Sequence, residues 1–144
     1  MSDDRQYDVC VIGAGPAGQK AAVQAAKAGR RVAIVDRDRR VGGACVHTGT
    51  IPSKALREQA RRLARRSEGA GAAARDLTAP RVALHELLAG VDDIIASHDR
   101  YMTQQLARNG IDCLRGSARF LDGATLEVRR IDGSRYRIDA GHYV

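Results

Sequence analysis

The chain has 144 residues, 44% of them hydrophobic and 28% charged, a length and composition typical of one globular domain. Lysine and arginine outnumber aspartate and glutamate by 24 to 17, but aromatic residues are scarce and no zinc-finger or helix-turn-helix pattern is present, so we expect no nucleic-acid partner. The three cysteines indicate neither a metal site nor a disulfide scaffold, and no apolar run is long enough to span a membrane, which favours a reducing cytoplasm.

The first elements are predicted by a short β-branched run, a glycine-rich turn and an alanine-rich segment. Residues 7–12 predict a buried strand, residues 17–28 a helix that ends at Gly29, and residues 31–36 a second buried strand. Strand, helix and strand in this order predict a right-handed βαβ unit with parallel strands. The fold class is therefore α/β, with a Rossmann-like beginning.

The remaining chain predicts two helices and then several short strands. Pro52 and Ser53 indicate a helix start that continues to residue 66, residues 67–80 read as a linker, and residues 82–108 predict an amphipathic helix. His98 lies on the apolar stripe of that helix, so we expect a packing histidine. Short strands, expected to be antiparallel, are predicted at 111–116, 118–121, 125–131 and 136–139, with a hairpin turn at 132–134 and another strand beginning at 141. Cys10 and Cys113 fall in predicted strands and are expected to be small core residues.

The turn after the first strand carries a dinucleotide-binding fingerprint. Gly13, Gly15 and Gly18 have the spacing that permits a tight turn, close approach of backbone to a pyrophosphate, and contact between helix and strand. Pro16 suits the first helical turn because it has no N–H to leave unpaired. Asp36 closes the second strand, where a carboxylate accepts hydrogen bonds from an adenosine ribose. The motif alone leaves open whether the ligand is NAD or FAD.

The segment GGACVHTGTIPSKAL, residues 42–56, is the most specific part of the sequence. Together with VIGAGPAG near the N-terminus and GSARF at 116–120, it resembles the FAD-binding domain of the pyridine nucleotide–disulfide oxidoreductases. The resemblance runs along the whole chain. It implies that the dinucleotide is FAD and that NAD(P) is a substrate.

The sequence departs from that family at one informative position. Disulfide-reducing members carry two cysteines five residues apart in this block, whereas here Cys45 is followed by Thr50. A hydroxyl cannot take part in thiol–disulfide exchange. Within the family, the single-cysteine pattern is similar to that of the soluble pyridine nucleotide transhydrogenases, which implies hydride transfer between NADPH and NAD through bound FAD.

The resemblance also implies roles for individual residues. Catalytic roles fall to Cys45 and Thr50, beside the flavin, and to Lys54, whose charge would stabilise the reduced flavin ring. The backbone at Ser117 and Ala118 would touch adenine. The complete set of expected cofactor contacts is Gly13, Gly15, Pro16, Ala17, Gly18, Val35, Asp36, Arg37, Gly42, Gly43, Ala44, Cys45, Thr50, Lys54, Ser117 and Ala118.

Two other classes of function stay open on the sequence. One is a related flavoenzyme with a different acceptor, such as a quinone, a metal, or a disulfide of the kind that dihydrolipoamide dehydrogenase uses. The other is a nucleotide-binding fragment without catalysis. By resemblance, residues 1–144 form the N-terminal part of an FAD-binding domain, and the NAD(P)-binding and dimerisation domains lie outside the chain. We expect the complete protein to be a homodimer or larger oligomer, and the chain by itself to hold FAD weakly and to be inactive.

Overall fold

The computed structural model describes residues 5–69 and 84–144. In chain order the described elements are β1 (Arg5–Ile12), α1 (Pro16–Lys27), β2 (Val32–Asp36), α2 (Gly43–His47), α3 (Thr50–Gly69), α4 (Leu84–Arg108), β3 (Asp112–Arg115), β4 (Ser117–Phe120), β5 (Thr125–Arg129) and β6 (Arg135–Tyr143). They belong to two compact units, one of residues 1–43 and 99–144 and one of residues 44–98.

The first unit contains a six-stranded sheet in the order β3-β2-β1-β6-β5-β4. The strands β3, β2, β1 and β6 run parallel to one another, with Val9 opposite Val32 and Cys10 opposite Tyr143. The strand β5 is antiparallel to both of its neighbours, β6 and β4. The sheet is therefore mixed, and the predicted βαβ unit of β1, α1 and β2 is confirmed.

Two hydrophobic clusters explain why β2 reads as a continuous apolar run. Because side chains alternate along a strand, Val32 and Ile34 pack on one side, with α1 and with Leu106 of α4. Ala33 and Val35 pack on the other side, with side chains of β5 and β6 such as Leu126. Both sides of β2 are covered, so its first four residues are buried.

The second unit is helical where it is described. It contains α2 from Ala44 onwards, α3 and the part of α4 up to His98, and its buried side chains include Val46, Ala55, Val91 and Ile95. A Cβ added to Gly90 would lie 2.6 Å from Gln59 Nε2, so the Gln59 side chain of α3 lies against the backbone of α4 at this point. No helix within residues 5–69 and 84–144 is long and apolar enough to cross a bilayer.

Several boundaries differ from the sequence predictions. The helix predicted to begin at 52 begins at Thr50, and the short helix α2 precedes it. The last strand is continuous from Arg135 to Tyr143, so the strand predicted to begin at 141 is the end of β6. The prediction of antiparallel pairing is wrong for β3, which pairs parallel with β2. The predicted linker at 67–80 lies mostly outside the described residues.

Two predictions of burial are wrong. His98 is exposed, although it lies on the stripe that buries Val91, Ile95 and Met102. Cys113 is also exposed, because β3 is the edge strand of the sheet, whereas Cys10 on the central strand β1 is completely buried as predicted. The position of a strand in the sheet therefore decides which of the two strand cysteines is buried.

Candidate nucleotide site and cysteine segment

The glycine-rich turn links β1 to α1. Gly13 has φ +109°, a value that favours glycine, and its N–H donates a 2.7 Å hydrogen bond to the carbonyl of Val35. Gly15 is the N-cap of α1, Pro16 is the first residue of the helix, and no described side chain caps this end. The N–H groups of the first helical turn are therefore available to an anion.

Added Cβ atoms distinguish the tasks of the glycines. At Gly18 a Cβ would collide with the Gly13 carbonyl oxygen and lie 3.1 Å from Val11 Cγ1, so this position must be small for α1 to reach β1. At Gly15 a Cβ would meet nothing within 4 Å. The space in front of Gly15 is open, as expected where a phosphate group has to approach the backbone.

Asp36 is tied to the glycine turn and to its own loop. Its Oδ2 accepts a 2.6 Å hydrogen bond from the Ala14 N–H, and its Oδ1 accepts a 2.8 Å bond from the Asp38 N–H. Each carboxylate oxygen can still accept a further bond, for example from a ribose hydroxyl. The neighbouring Arg37 is exposed.

The glycine pair Gly42–Gly43 lies against the glycine-rich turn between β1 and α1. The Gly42 N–H donates to the Ala14 carbonyl at 2.9 Å. Gly43 has φ +59°, and a Cβ there would lie 3.1 Å from the Cα of Gly15. The Gly42–Gly43 backbone therefore approaches the glycine-rich turn closely, and both belong to the same unit.

Asp99 of α4 holds the loop before Gly42, and sequence reasoning missed it. Its Oδ1 accepts a 2.8 Å hydrogen bond from the Val41 N–H, 58 positions away in the chain. A single aspartate on a polar helix face gives no local signal of this contact.

A cavity of about 410 Å³ lies between Asp36, the loop to Val41, the first unit's part of α4, and β3. Its walls carry both signs of charge, from three aspartates and four arginines: Asp36, Asp38, Asp99, Arg39, Arg40, Arg100 and Arg115. This cavity begins at the acid that the sequence assigned to the adenosine ribose.

Gly116, Ser117 and Ala118 lie near the end of β2. The Gly116 N–H donates a 2.9 Å hydrogen bond to the Asp36 carbonyl, and Ser117 and Ala118 begin β4 directly afterwards. Gly116 has φ +154°, and a Cβ would lie 2.6 Å from the Arg129 carbonyl oxygen. Gly116 begins the GSARF motif, and this close approach explains why the position is a glycine.

Ala44, Cys45, Thr50 and Lys54 belong to the second unit. Cys45 is half-buried in α2, while Thr50, the first residue of α3, and Lys54, one turn later, are exposed. Thr50 and Lys54 are four residues apart and so share one face of α3. Gly49, which sequence reasoning did not single out, makes the connection possible, since a Cβ there would lie 2.9 Å from the Ala44 carbonyl oxygen.

The fold and the glycine turn together define a Rossmann-like dinucleotide-binding domain. The sequence profile of the family described as pyridine nucleotide-disulphide oxidoreductase matches residues 7–144. The chain therefore belongs to the pyridine nucleotide-disulphide oxidoreductase family.

Individual relatives agree with this membership. A soluble pyridine nucleotide transhydrogenase of Mycobacterium bovis (strain BCG / Pasteur 1173P2) is 44% identical over 128 residues, 86% of this chain and 26% of that protein. A soluble pyridine nucleotide transhydrogenase of Azotobacter vinelandii is 42% identical over 139 residues, 96% of this chain and 30% of that protein. The chain thus spans 26–30% of the length of these curated relatives.

A solved structure shares the fold. The Cu(II) complex of the HOCl-induced flavoprotein disulfide reductase RclA from Escherichia coli superposes with a TM-score of 0.77 at 25% sequence identity. The match covers 94% of this chain and 27% of that chain. The mixed sheet described above is therefore the architecture of a flavoprotein reductase domain.

Proposed function

We propose that the complete protein transfers hydride between NADPH and NAD through FAD, and that this chain is the N-terminal part of its FAD-binding domain. Membership of the family implies FAD and NAD(P) as cofactor and substrates. The observation that carries the proposal is Thr50, which stands five residues after Cys45 where a disulfide reductase needs its second sulfur. The names of the two bacterial relatives support the same activity.

The residues of the first unit fit a dinucleotide. We assign the pyrophosphate to the open space at Gly15 and to the uncapped start of α1, where N–H groups and the helix dipole favour negative charge. We assign the adenosine ribose to Asp36, whose carboxylate is oriented by the Ala14 and Asp38 N–H groups. We assign the other residues of this unit that are predicted to contact the cofactor to the same FAD molecule.

The residues of the second unit determine what the protein can do with the electrons. The chemistry that FAD would supply when bound is hydride transfer from one nicotinamide to another. Thr50 can donate or accept a hydrogen bond but cannot form a disulfide with Cys45. We assign Lys54 the task of placing a positive charge that stabilises the negative charge of a reduced ring.

Disulfide reduction is the second candidate, favoured by the likeness to the Escherichia coli flavoprotein disulfide reductase. It requires a thiolate that can act with Cys45. Burial raises the pKa of the Cys10 thiol to about 11, and Cys10 is completely enclosed. The Cys113 residue is exposed, but partial burial of its sulfur and the neighbouring Asp112 carboxylate raise the pKa of its thiol as well. Both thiols are therefore poor nucleophiles near neutral pH, which weighs against a disulfide formed within the described part of the chain.

The decisive experiment uses the complete FAD-loaded protein with NADPH as donor. We expect reduction of thio-NAD and no reduction of lipoamide, glutathione disulfide or a quinone. Because the thiol does not turn over in this mechanism, Cys45→Ser should keep the transhydrogenase rate within about tenfold, a barrier change of about 1.4 kcal/mol. Reduction of a disulfide but not of thio-NAD, or complete loss of thio-NAD reduction in Cys45→Ser, would refute the proposal.

We further infer that the complete protein is a homodimer or larger oligomer in the cytoplasm. The three cysteines of the chain are free, which agrees with a reducing compartment. Light scattering of the complete protein tests the oligomeric state, and a monomeric mass would contradict it.

A further inference from the structure

A second cavity, of about 610 Å³, lies between β3 and the hairpin that joins β5 to β6. It belongs entirely to the first unit. It shares Arg39, Cys113, Leu114 and Arg115 with the cavity at Asp36, whereas four residues line this cavity alone: Arg130, Ile131, Asp132 and Tyr136. None of its lining residues is among the positions predicted to bind FAD.

The walls of this cavity are strongly basic. Arg39 follows β2, Arg115 ends β3 and Arg130 follows β5, so three guanidinium groups from distant parts of the chain line one space. Within residues 5–69 and 84–144, neither Arg39 nor Arg115 has a carboxylate partner. By contrast, Arg119 and Arg135 lie 3.7 and 3.6 Å from Glu127 Oε1.

The wall carries one acid, Asp132, against three arginines, so it offsets only part of their positive charge. Asp132 Oδ1 accepts hydrogen bonds from the Ser134 hydroxyl at 2.6 Å and from the Ser134 N–H at 2.8 Å. These bonds lower the pKa of Asp132, so its carboxylate is ionised and engaged in the hairpin turn. The cavity as a whole has an excess of positive charge.

Two features of the cavity wall suggest how a ligand would be held: a supported arginine and an exposed apolar side chain. The Arg130 guanidinium lies over the ring of Tyr136, 4.6 Å from its centroid, and Tyr136 is 4% exposed, so the cation rests on a buried platform. Next to it Ile131 is 81% exposed at the rim of the cavity. A side chain of this kind offers contact area to an apolar group from solution.

We propose that this cavity binds a phosphomonoester carried on a flat apolar body, such as a nucleoside monophosphate, at a site separate from FAD and from the nicotinamide substrates. Arg39, Arg115 and Arg130 contact the phosphate, since guanidinium groups match phosphate oxygens in geometry and charge. Ile131 contacts the ring. Both features are needed, so neither free phosphate nor an uncharged nucleoside fills the site as well.

The test uses the complete protein saturated with FAD, so that the cofactor's own adenosine position is filled. Isothermal titration with 5′-AMP, inorganic phosphate and adenosine should give the tightest binding for 5′-AMP, weakened by added salt. Arg130→Gln and Arg115→Gln should each weaken 5′-AMP binding roughly tenfold. Ile131→Ser should weaken 5′-AMP but leave phosphate unchanged. Arg137→Gln, an exposed arginine of β6 outside the cavity, is the matched control and should bind normally.

Two results would overturn the proposal. One is equal affinity for 5′-AMP and adenosine, or unchanged binding in both arginine variants. The other is 5′-AMP binding that occurs only in FAD-depleted protein, which would place the nucleotide in the cofactor's position. If Arg130→Gln disturbs the unfolding transition through loss of its contact with Tyr136, Arg130→Lys keeps the charge and Arg115→Gln decides the outcome.

Discussion

Substituting alanine at Gly18 should lower the stability of the fold, whereas alanine at Gly15 should weaken FAD binding and leave stability nearly unchanged. A Cβ at Gly18 overlaps the Gly13 carbonyl oxygen and lies 3.1 Å from Val11 Cγ1, so α1 has to move away from β1. Overpacking of this kind costs about 3 kcal/mol or somewhat less. With an unfolding entropy of about 2.1 cal/mol/K per residue, that corresponds to a loss of roughly 10 °C in Tm for this chain.

Gly15→Ala is the matched control, because a Cβ there meets nothing within 4 Å and the φ of −72° suits any residue. The lower entropy of the unfolded chain offsets the poorer N-cap, so stability should change by less than about 1 kcal/mol. The methyl group does fill the space assigned to the pyrophosphate, and FAD affinity of the complete protein should fall roughly tenfold or more.

Two assays separate the effects. Thermal unfolding of the 144-residue chain measures the stability lost through the added methyl group. Fluorescence titration of the apo form of the complete protein with FAD measures the affinity for the cofactor. Unchanged FAD affinity in a well-folded Gly15→Ala protein would refute the placement of the pyrophosphate. A normal Tm for Gly18→Ala would refute the packing argument.

Two further predictions concern other contacts of the first unit. Asp99→Ala removes the charged acceptor of the 2.8 Å bond from the Val41 N–H, so that amide should exchange with solvent deuterium about 10- to 150-fold faster. Substitution of the exposed Asp93 by alanine is the control and should leave the exchange of this amide unchanged. Equal exchange in both variants would contradict the contact. Burial raises the pKa of Cys10 to about 11, so its contribution to stability is complete below about pH 9 and is lost as the pH rises towards 11. Urea unfolding at pH 8, 9 and 10 should show a steeper decline for wild type than for Cys10→Ala, by at most about 1.4 kcal/mol per pH unit, and parallel declines would count against the buried thiol.

The sequence predicted the βαβ unit because its signals are local. The run at residues 32–35 is apolar on both sides of the strand, Gly29 has the positive φ of a helix stop, and Pro16 occupies the first helical position. Each of these features depends on neighbours within a few residues, and all of them point to the same element. The glycine spacing then identifies the nucleotide turn without knowledge of the tertiary structure.

The errors arose where distant partners decide the outcome. The direction of β3 is set by its register with β2, in which Ala33 lies opposite Asp112, and a short strand of four residues gives no signal of that pairing. Cys113 is exposed because β3 is at the edge of the sheet. His98 continues an apolar stripe by spacing alone, but it is the last residue of the second unit, where the helix leaves one core for another.

The residues assigned to the nucleotide and the residues assigned to the electron acceptor belong to different units. In the first unit the Ala14 N–H, the Gly42 N–H and the Gly116 N–H make hydrogen bonds that join the glycine turn, the end of β2, the loop before α2 and the start of β4. This network is built mainly from backbone atoms, so it orders the groups assigned to the nucleotide independently of the side chains at residues 45 and 50. Cys45 and Thr50, to which we assign the choice of electron acceptor, belong to the second unit. A change of sulfur to oxygen at residue 50 can therefore alter the chemistry without disturbing the groups assigned to the nucleotide, and for this reason Thr50 carries more information about function than the glycine turn does.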